Sequence, residues 1–324
     1  MRPEFRVIAD SKDITAAVKD RLLSLRITDE AGFKSDLASL ALDNRDGKVA
    51  IPRTGVELEI LLGYKETGLV RMGVFKVDGV SVTGPPDALS ISARAADMMS
   101  GLKARRTRSW DDTTLGDMMR TVAQEHGYSA RVNADLDRVG LPHVDQTEES
   151  DMQLLTRLAK DNGAVFKPAG GNLVLAPRGE AKSASGAAMP LVQLARKDLV
   201  SWTMQAADRG KYQGVAAYWH DHDGAERTAV TVGDGEMLFT LPGTYPDADA
   251  ATRAAQAKLD AFQRGTATLD LTLVGRPSLG AESRVSVTGV PGIVGEWIVA
   301  TARHTLDGQG LRTELQAETP KGAA

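Results

Sequence analysis

The feature that most limits the fold of this chain is its repeated return to strand-like alternation between glycine- and proline-marked turns. Val56-Glu57-Leu58-Glu59-Ile60 alternates apolar and charged residues strictly, the period of a strand with one face in a core and the other in water. Segments of similar character stand at Phe5–Ile8, Leu22–Thr28, Leu37–Leu42, Val70–Val77, Val80–Thr83 and Leu89–Arg94. Between them lie Asp43-Asn44-Arg45-Asp46-Gly47, the stretch from Gly63 to Gly68, and Gly84-Pro85-Pro86, whose residue types favour turns. Strands this frequent predict a barrel or sandwich over residues 1–98.

The pattern changes near residue 98. Leu115, Met118, Met119, Val122 and Ala123 recur at helical spacing and predict a helix over Leu115–His126, with Gly127 at its end. A short β-compatible stretch, Ser129–Asn133, follows. Ser150-Asp151-Met152-Gln153 fits the S-x-x-Q capping box and opens a second helix. Met152, Leu155, Leu158 and Ala159 form its apolar stripe, and Asn162-Gly163 ends it. Ala164–Lys167 and Asn172–Leu175 flank Pro168-Ala169-Gly170-Gly171 and read as a hairpin. Residues 99–178 are therefore expected to form a small α/β module. Residues 179–190, GEAKSASGAAMP, have the composition of a linker.

Strand signals return at Val200–Gln205, Gly214–Trp219 and Arg227–Val232. A helix is predicted over Ala248–Gln263, capped by Asp247 or Asp249 and followed by Gly265. Thr268–Val274, Arg284–Thr288, Trp297–Thr301 and Leu311–Ala317 are further strands. The expected class is mainly β with an α/β insertion (α+β), divided into 1–98, 99–178, the linker 179–190, and 191–324.

Composition narrows the function. With 42% hydrophobic and 25% charged residues in 324, the chain can bury a sizeable core. A net charge of −4 argues against a dedicated nucleic-acid binder. No apolar run approaches the ~20 residues of a membrane span, and MRPEFRVIADSKD lacks the apolar core of a secretory signal. The absence of cysteine excludes disulfides, Cys-based zinc sites and thiol nucleophiles. No G-x-S-x-G elbow, P-loop, H-E-x-x-H, or helix-opening G-x-G-x-x-G is present. No catalytic, cofactor or metal site is predicted.

Three clusters are candidate sites. Glu148, Glu149 and Asp151 fall within four residues, and paired carboxylates can act as acid and base in glycoside hydrolysis. Adjacent residues rarely face one substrate together. The favoured reading is helix punctuation, with Asp151 facing the dipole of the first turn. His220-Asp221-His222-Asp223-Gly224 places His220 and His222 on one face of an extended strand, a possible pair of metal ligands. Asp-Gly also favours a polar hairpin turn, and no distant cluster completes the coordination. Lys103, Arg105, Arg106 and Arg108 read as a solvated face or a protein interface, with only Trp110 nearby for stacking. His126, His143 and His304 read as helix-end, loop or strand residues.

Several stretches together resemble the late control gene D family, the baseplate hub proteins of contractile phage tails. They are Ile14-Thr15, Leu22–Asp29, Gly32, Asp36, Pro52, Gly55, Leu61-Leu62-Gly63-Tyr64 and Gly73-Val74-Phe75; Gly84-Pro85-Pro86 with Ala93-Arg94-Ala95-Ala96-Asp97; Arg108-Ser109-Trp110 with Thr114-Leu115; Gln146 with Glu149-Ser150-Asp151, Leu154-Leu155 and Arg157-Leu158-Ala159; and Trp297, Val299, His304, Gly310 and Thr313-Glu314-Leu315. The resemblance covers nearly the whole chain, and its order and spacing carry more weight than any single piece.

It implies a fold similar to the N-terminal part of VgrG-type secretion spikes, with two tube-like β-barrels and α/β insertions. It implies a homotrimeric ring with pseudo-sixfold symmetry, joining the sixfold tail tube, or a tube-initiator protein, to a threefold spike. The tape-measure protein would end in the lumen, and baseplate wedge proteins would surround the ring. The place of action would be the virion tail baseplate or a tail-like particle, assembled in the bacterial cytoplasm, with no membrane or specific nucleic-acid partner. Two alternatives stand beside this: a tail-associated cell-wall hydrolase using Glu148 or Glu149, and a secretion-system spike component. The latter is expected to carry a spike or effector extension that this sequence lacks.

Overall fold

A computed structural model describes residues 1–31, 36–95, 100–169, 171–179, 189–206, 212–221, 224, 226–234, 237–264 and 267–320. Gly32, Ala96, Asp97, Gly170, His222, Asp223, Gly265 and linker residues 180–188 lie outside them. The N-terminal region contains β1 (Pro3–Ala9), β2 (Lys12–Asp13), α1 (Thr15–Lys19), β3 (Leu22–Glu30), β4 (Leu37–Asp43), β5 (Glu57–Tyr64), β6 (Gly68–Thr83) and β7 (Ala88–Ala95). Then come β8 (Arg105–Thr114), α2 (Leu115–Glu125), β9 (Ser129–Val132), α3 (Ala134–Asp137), β10 (Gly140–Ser150), α4 (Asp151–Asp161), β11 (Ala164–Ala169) and β12 (Asn172–Pro177). The C-terminal region contains β13 (Leu191–Ala195), β14 (Leu199–Ala206), β15 (Gly214–Asp221), β16 (Glu226–Gly233), β17 (Leu238–Thr240), α5 (Ala248–Arg264), β18 (Ala267–Val274), β19 (Arg284–Thr288), β20 (Glu296–Asp307) and β21 (Gly310–Glu318).

The chain is mainly β, as its alternating segments predict. One 13-stranded sheet takes strands from both ends of the sequence, in the order β14-β18-β21-β20-β3-β4-β7-β6-β5-β1-β2. β19 joins it through β20, and β13 pairs with β19 in parallel. The two ends of the chain meet where β3 pairs antiparallel with β20, from Ser24↔Asp307 to Glu30↔Thr301.

Residues 70–83, expected as two strands, form one. A bulge between Val77 and Gly79 shifts the register and breaks the period-two signal. Gly79 suits the site, because a Cβ there would lie 2.6 Å from Ser92 Oγ. The hairpin predicted at 164–175 is present as β11 and β12. The helix predicted at 248–263 is present as α5, with Asp247 as its cap: its Oδ1 accepts from the Ala250 amide at 2.7 Å.

Four apolar cores form among the described residues. The first lies among β1–β7 and includes Leu306 and Leu311 from β20 and β21. The second holds the stripes of α2 and α4 against β11 and β12. The third lies on the other part of the large sheet, around Leu269, Leu271, Trp297, Val299 and Leu315. In the fourth, Ala251, Ala255 and Leu259 of α5 pack on Val215 and Ala217 of β15. Full burial of a Leu or Ile side chain contributes ~1.5–3 kcal/mol, so Leu25, Ile27 and Leu315 tie the β3–β20 region firmly.

A polar bridge links the α/β region to this sheet. Lys167 on β11 donates to Asp36 at 2.7 Å, to Asp29 at 3.1 Å and to the Glu30 carbonyl at 3.1 Å. Burial and the neighbouring Asp29 push Asp36 up to about 6, against the pull of Lys167. Burial lowers the Lys167 pKa, but the two carboxylates outweigh it and hold the group charged. Asp29 also accepts from the Ala281 amide at 2.9 Å, so one short stretch of β3 anchors two other parts of the chain.

His304 sits on β20 opposite Ile27 and is fully buried. Its Nδ1 lies 2.9 Å from Thr313 Oγ1, and burial pulls its pKa down to about 4, against the charge of Asp29. The folded state therefore refuses a proton that the unfolded chain accepts below about 6.5, and this stabilisation is lost as pH falls from about 6.5 to 4. Asp36 acts in the opposite sense over a similar range, so the informative quantity is a difference between proteins. We expect the stability gap between wild type and His304→Gln, measured by urea unfolding, to shrink by about 3 kcal/mol between pH 7 and pH 4. A constant gap would show that His304 titrates normally.

Candidate functional site

The candidate site with the richest chemistry is built from β8, α2, β10 and α4. Residues 105–110 form a strand in which Arg106, Arg108 and Trp110 are half-buried while Arg105, Thr107 and Ser109 are exposed. This alternation separates the arginines of the basic run, which were expected to be a solvated face or an interface. Arg106 and Arg108 instead turn towards buried partners. β10 pairs with β8, and a bulge between Gln146 and Glu149 sets two residues opposite Thr107. Glu148 stands at that bulge with φ +49 and is exposed.

The capping box is complete. Ser150 Oγ accepts from the Gln153 amide at 3.2 Å, and Gln153 Oε1 accepts from the Ser150 amide at 3.2 Å. Asp151, read from sequence as a carboxylate facing the helix dipole, has a more specific role. It is fully buried. Arg108 Nη2 donates to its Oδ1 at 2.8 Å, Gln146 Nε2 donates to the same oxygen at 2.8 Å, and His126 Nε2 lies 2.8 Å from Oδ2. Burial pushes this carboxyl up, but the bonds to His126 and Gln146 and the charges of Arg108 and Arg106 outweigh it and hold it below its usual value.

The rest of the cluster closes around that carboxylate. Glu125, at the end of α2, takes Arg108 at 2.8 Å and Arg106 at 2.6 Å. Arg108 stacks 4.2 Å from the Trp110 ring centroid and donates to Gln146 Oε1 at 2.9 Å. Glu125, His126 and Asp151 together offer three donors with metal-ligand spacing, all within 4.8 Å of one another. Two guanidinium groups already fill the carboxylates, however, so a cation placed there would face two fixed positive charges at close range. The donor set suits an ion-pair lock better than a metal.

The two glutamates weighed as acid and base are not brought together over a cleft. Glu149 is gripped by Arg157 through both oxygens, at 3.1 and 2.7 Å. Glu148 approaches only the Thr107 hydroxyl, at 3.4 Å. Neither lines a described cleft. His220 is the penultimate residue of β15, which pairs with β16 as the hairpin reading expects, whereas its proposed companion His222 lies outside the described residues. His143, read as a helix-end, loop or strand residue, lies on β10 and contacts Asp111 and Asp145 at 2.6 and 3.3 Å.

No local pattern in the sequence marks the buried Asp151 cluster or the Lys167 bridge. The one available signal was the alternation of Arg106, Arg108 and Trp110, masked by the charge of every second residue. In the fold, Arg108, Trp110, Gln146 and Asp151 converge on one structural lock, and Gln146 Nε2 also donates to the backbone carbonyl of Glu149, whose side chain pairs with Arg157. These are among the residues that carry the family resemblance.

Solved structures of other proteins share this mainly β fold. The tail protein of Neisseria meningitidis MC58 has a similar fold, with a TM-score of 0.74 at 14% identity over 98% of this chain and 97% of that one. The E. coli c3393 protein, a component of the type VI secretion system, has a TM-score of 0.60 at 10% identity, covering 94% of this chain and 74% of that one. Sequence resolves the class further. The profile of the phage tail baseplate hub (GPD) family matches residues 70–310. A probable baseplate hub protein of Escherichia phage 186 is 35% identical, over 98% of this chain and 93% of its own length. The chain belongs to the phage tail baseplate hub family. Its role is that of a hub in the tail baseplate of a virion.

Two substitutions separate the lock from ordinary helix capping. Ser150→Ala is expected to cost ~0.5–2 kcal/mol in urea unfolding, the loss of one cap. Asp151→Ala strands Arg108, His126 and Gln146 without their shared acceptor and is expected to cost ~3–5 kcal/mol. Equal costs would reduce Asp151 to a residue that faces the dipole.

Proposed function

We propose that three copies of this chain close into a ring that adapts a sixfold tail tube to a threefold spike. The observation that supports this reading most is the single sheet carrying two separate apolar cores, one built mainly from the N-terminal strands and the other from the C-terminal ones. Each core is the interior of one tube-like barrel in this reading, so three chains present six similar units around an axis. Residues 1–98 and 191–324 supply the barrels, residues 99–178 the α/β module on the outside, and residues 179–190 a linker.

Ring closure by one repeated head-to-tail contact is heterologous, and permanent contacts of this kind commonly bury ~2,000 Å² or more. The upper rim meets the tail tube or a tube-initiator protein, the lower rim the spike, and the lumen the end of the tape-measure protein. Wedge proteins contact the outside, and assembly takes place in the bacterial cytoplasm. The role is mechanical, with no reaction assigned to Glu148 or Glu149. No helix among the described residues is long and apolar enough to cross a membrane.

Native mass spectrometry of the full chain with its spike partner tests the ring. The expected species contains three copies of the 34.5 kDa chain. A chain that stays monomeric with that partner contradicts the proposal. In the same preparation, Glu148→Gln and Glu149→Gln are expected to leave the trimer intact. A wall-degrading activity abolished by either change would favour the hydrolase reading.

A further inference from the structure

A cleft of ≈ 470 Å³ lies between the α/β region and the α5 layer. One wall is the first half of β10, Gly140–Asp145, with the end of α4. The other wall is the segment 241–246 with the first turns of α5. The cleft is held in shape from both sides. Arg253 of α5 donates to Asn162 Oδ1 at 3.0 Å, beyond the end of α4. The Leu241 amide donates to the Ala216 carbonyl at 2.8 Å, and the Tyr245 amide to the Tyr218 carbonyl at 2.7 Å, which pins the segment to β15.

Three features of this cleft point to the same kind of occupant. The walls are largely apolar, with Leu141, Pro142, Leu241, Pro242 and Tyr245 among the residues that line it. Among the described residues β10 has a strand neighbour on one side only, β8, so its second edge can pair with an added extended segment. Pro142 is compatible with such an edge. Asp161, at the end of α4, also lines the cleft, and its carboxylate makes no hydrogen bond or ion pair among the described residues.

No nearby cation forms an ion pair with Asp161 among the described residues: Arg157 is engaged by Glu149, and Arg253 donates to the neutral Asn162 side chain. Burial pushes Asp161 up to about 6 although Arg157 and Lys160 oppose it, and burial and the Asp161 charge push Tyr245 up to about 12. On β10, His143 is occupied by Asp111 and Asp145, whose bonds raise its pKa. An adjoining cleft of ≈ 460 Å³ shares Gly140, Leu141, Pro142 and Arg253 and adds Asp112, Asp247 and Asp249. The joined surface is therefore preformed and apolar at its centre, and carries an excess of negative charge.

We propose that this cleft is a docking site for an extended segment of a partner protein, which adds along the free edge of β10 and places a lysine or arginine side chain against Asp161. A partner acid would meet like charge, and a purely apolar segment would leave Asp161 desolvated without a counter-charge. A preformed cleft limits the ordering cost of binding. The proposal does not depend on the number of chains in the ring.

The test uses the full-length protein and two peptides. One is a pentapeptide of alternating threonine and valine with a central arginine, and the other has glutamine at the centre. Binding is followed by amide NMR shifts of Gly140 and Gly243. The arginine peptide is expected to shift both amides and to bind about tenfold more tightly than its glutamine twin, the scale of a close interfacial charge pair. Asp161→Asn is expected to remove that preference while the protein stays folded, because the substitution deletes an unpaired charge. Equal affinity of the two peptides, an unchanged preference in Asp161→Asn, or no shift at millimolar peptide overturns the proposal. The result is independent of native mass spectrometry, so failure of the cleft and failure of the ring are told apart.

Discussion

The structure depends on the antiparallel pairing of β3 with β20. Seven residue pairs, from Ser24↔Asp307 to Glu30↔Thr301, join the two ends of the chain. Without this seam the large sheet would divide into an N-terminal and a C-terminal part. With it, Leu306 and Leu311 complete the first apolar core, and His304 and Thr313 sit in a buried polar contact beside Ile27. Pairings so distant in sequence carry a large loop-closure cost and form slowly. They also make the two strand-rich ends of the chain parts of one sheet.

The α/β region is fastened to this sheet by charge more than by a shared apolar core. Lys167 reaches Asp29, Asp36 and the Glu30 carbonyl. Within that region Asp151 gathers Arg108, Gln146 and His126. Both arrangements have partially or fully buried ions with their partners supplied. Breaking such a group costs more than forming it contributes, so each acts as a geometric lock. The family resemblance runs through the same side chains. In this chain they hold the α/β region in register with the large sheet.

Local signals were legible in the sequence and distant ones were not. The capping box at Ser150–Gln153 and the caps at Asp247 and Gly127 follow from side-chain chemistry within four residues, and they are found where expected. The apolar stripes of α2 and α4 are likewise buried. β8 and β10 have no such signature, because charges and hydroxyls occupy their alternating positions and no apolar period marks them. The bulge at Val77–Gly79 hid the length of β6. Asp151 looked like any acidic residue in a first turn, since its partners come from three other elements. The β3–β20 seam has no local signature at all.

Native-state hydrogen exchange across the seam tests this account most directly. The account predicts that the backbone amides of residues 24–30 and 301–307 exchange only through global unfolding, with the same free energy and the same denaturant dependence. Exchange of the 301–307 amides through a lower-energy opening, while the N-terminal strands stay protected, would contradict it. That result would mean that the two strand-rich regions are separate bodies laid side by side.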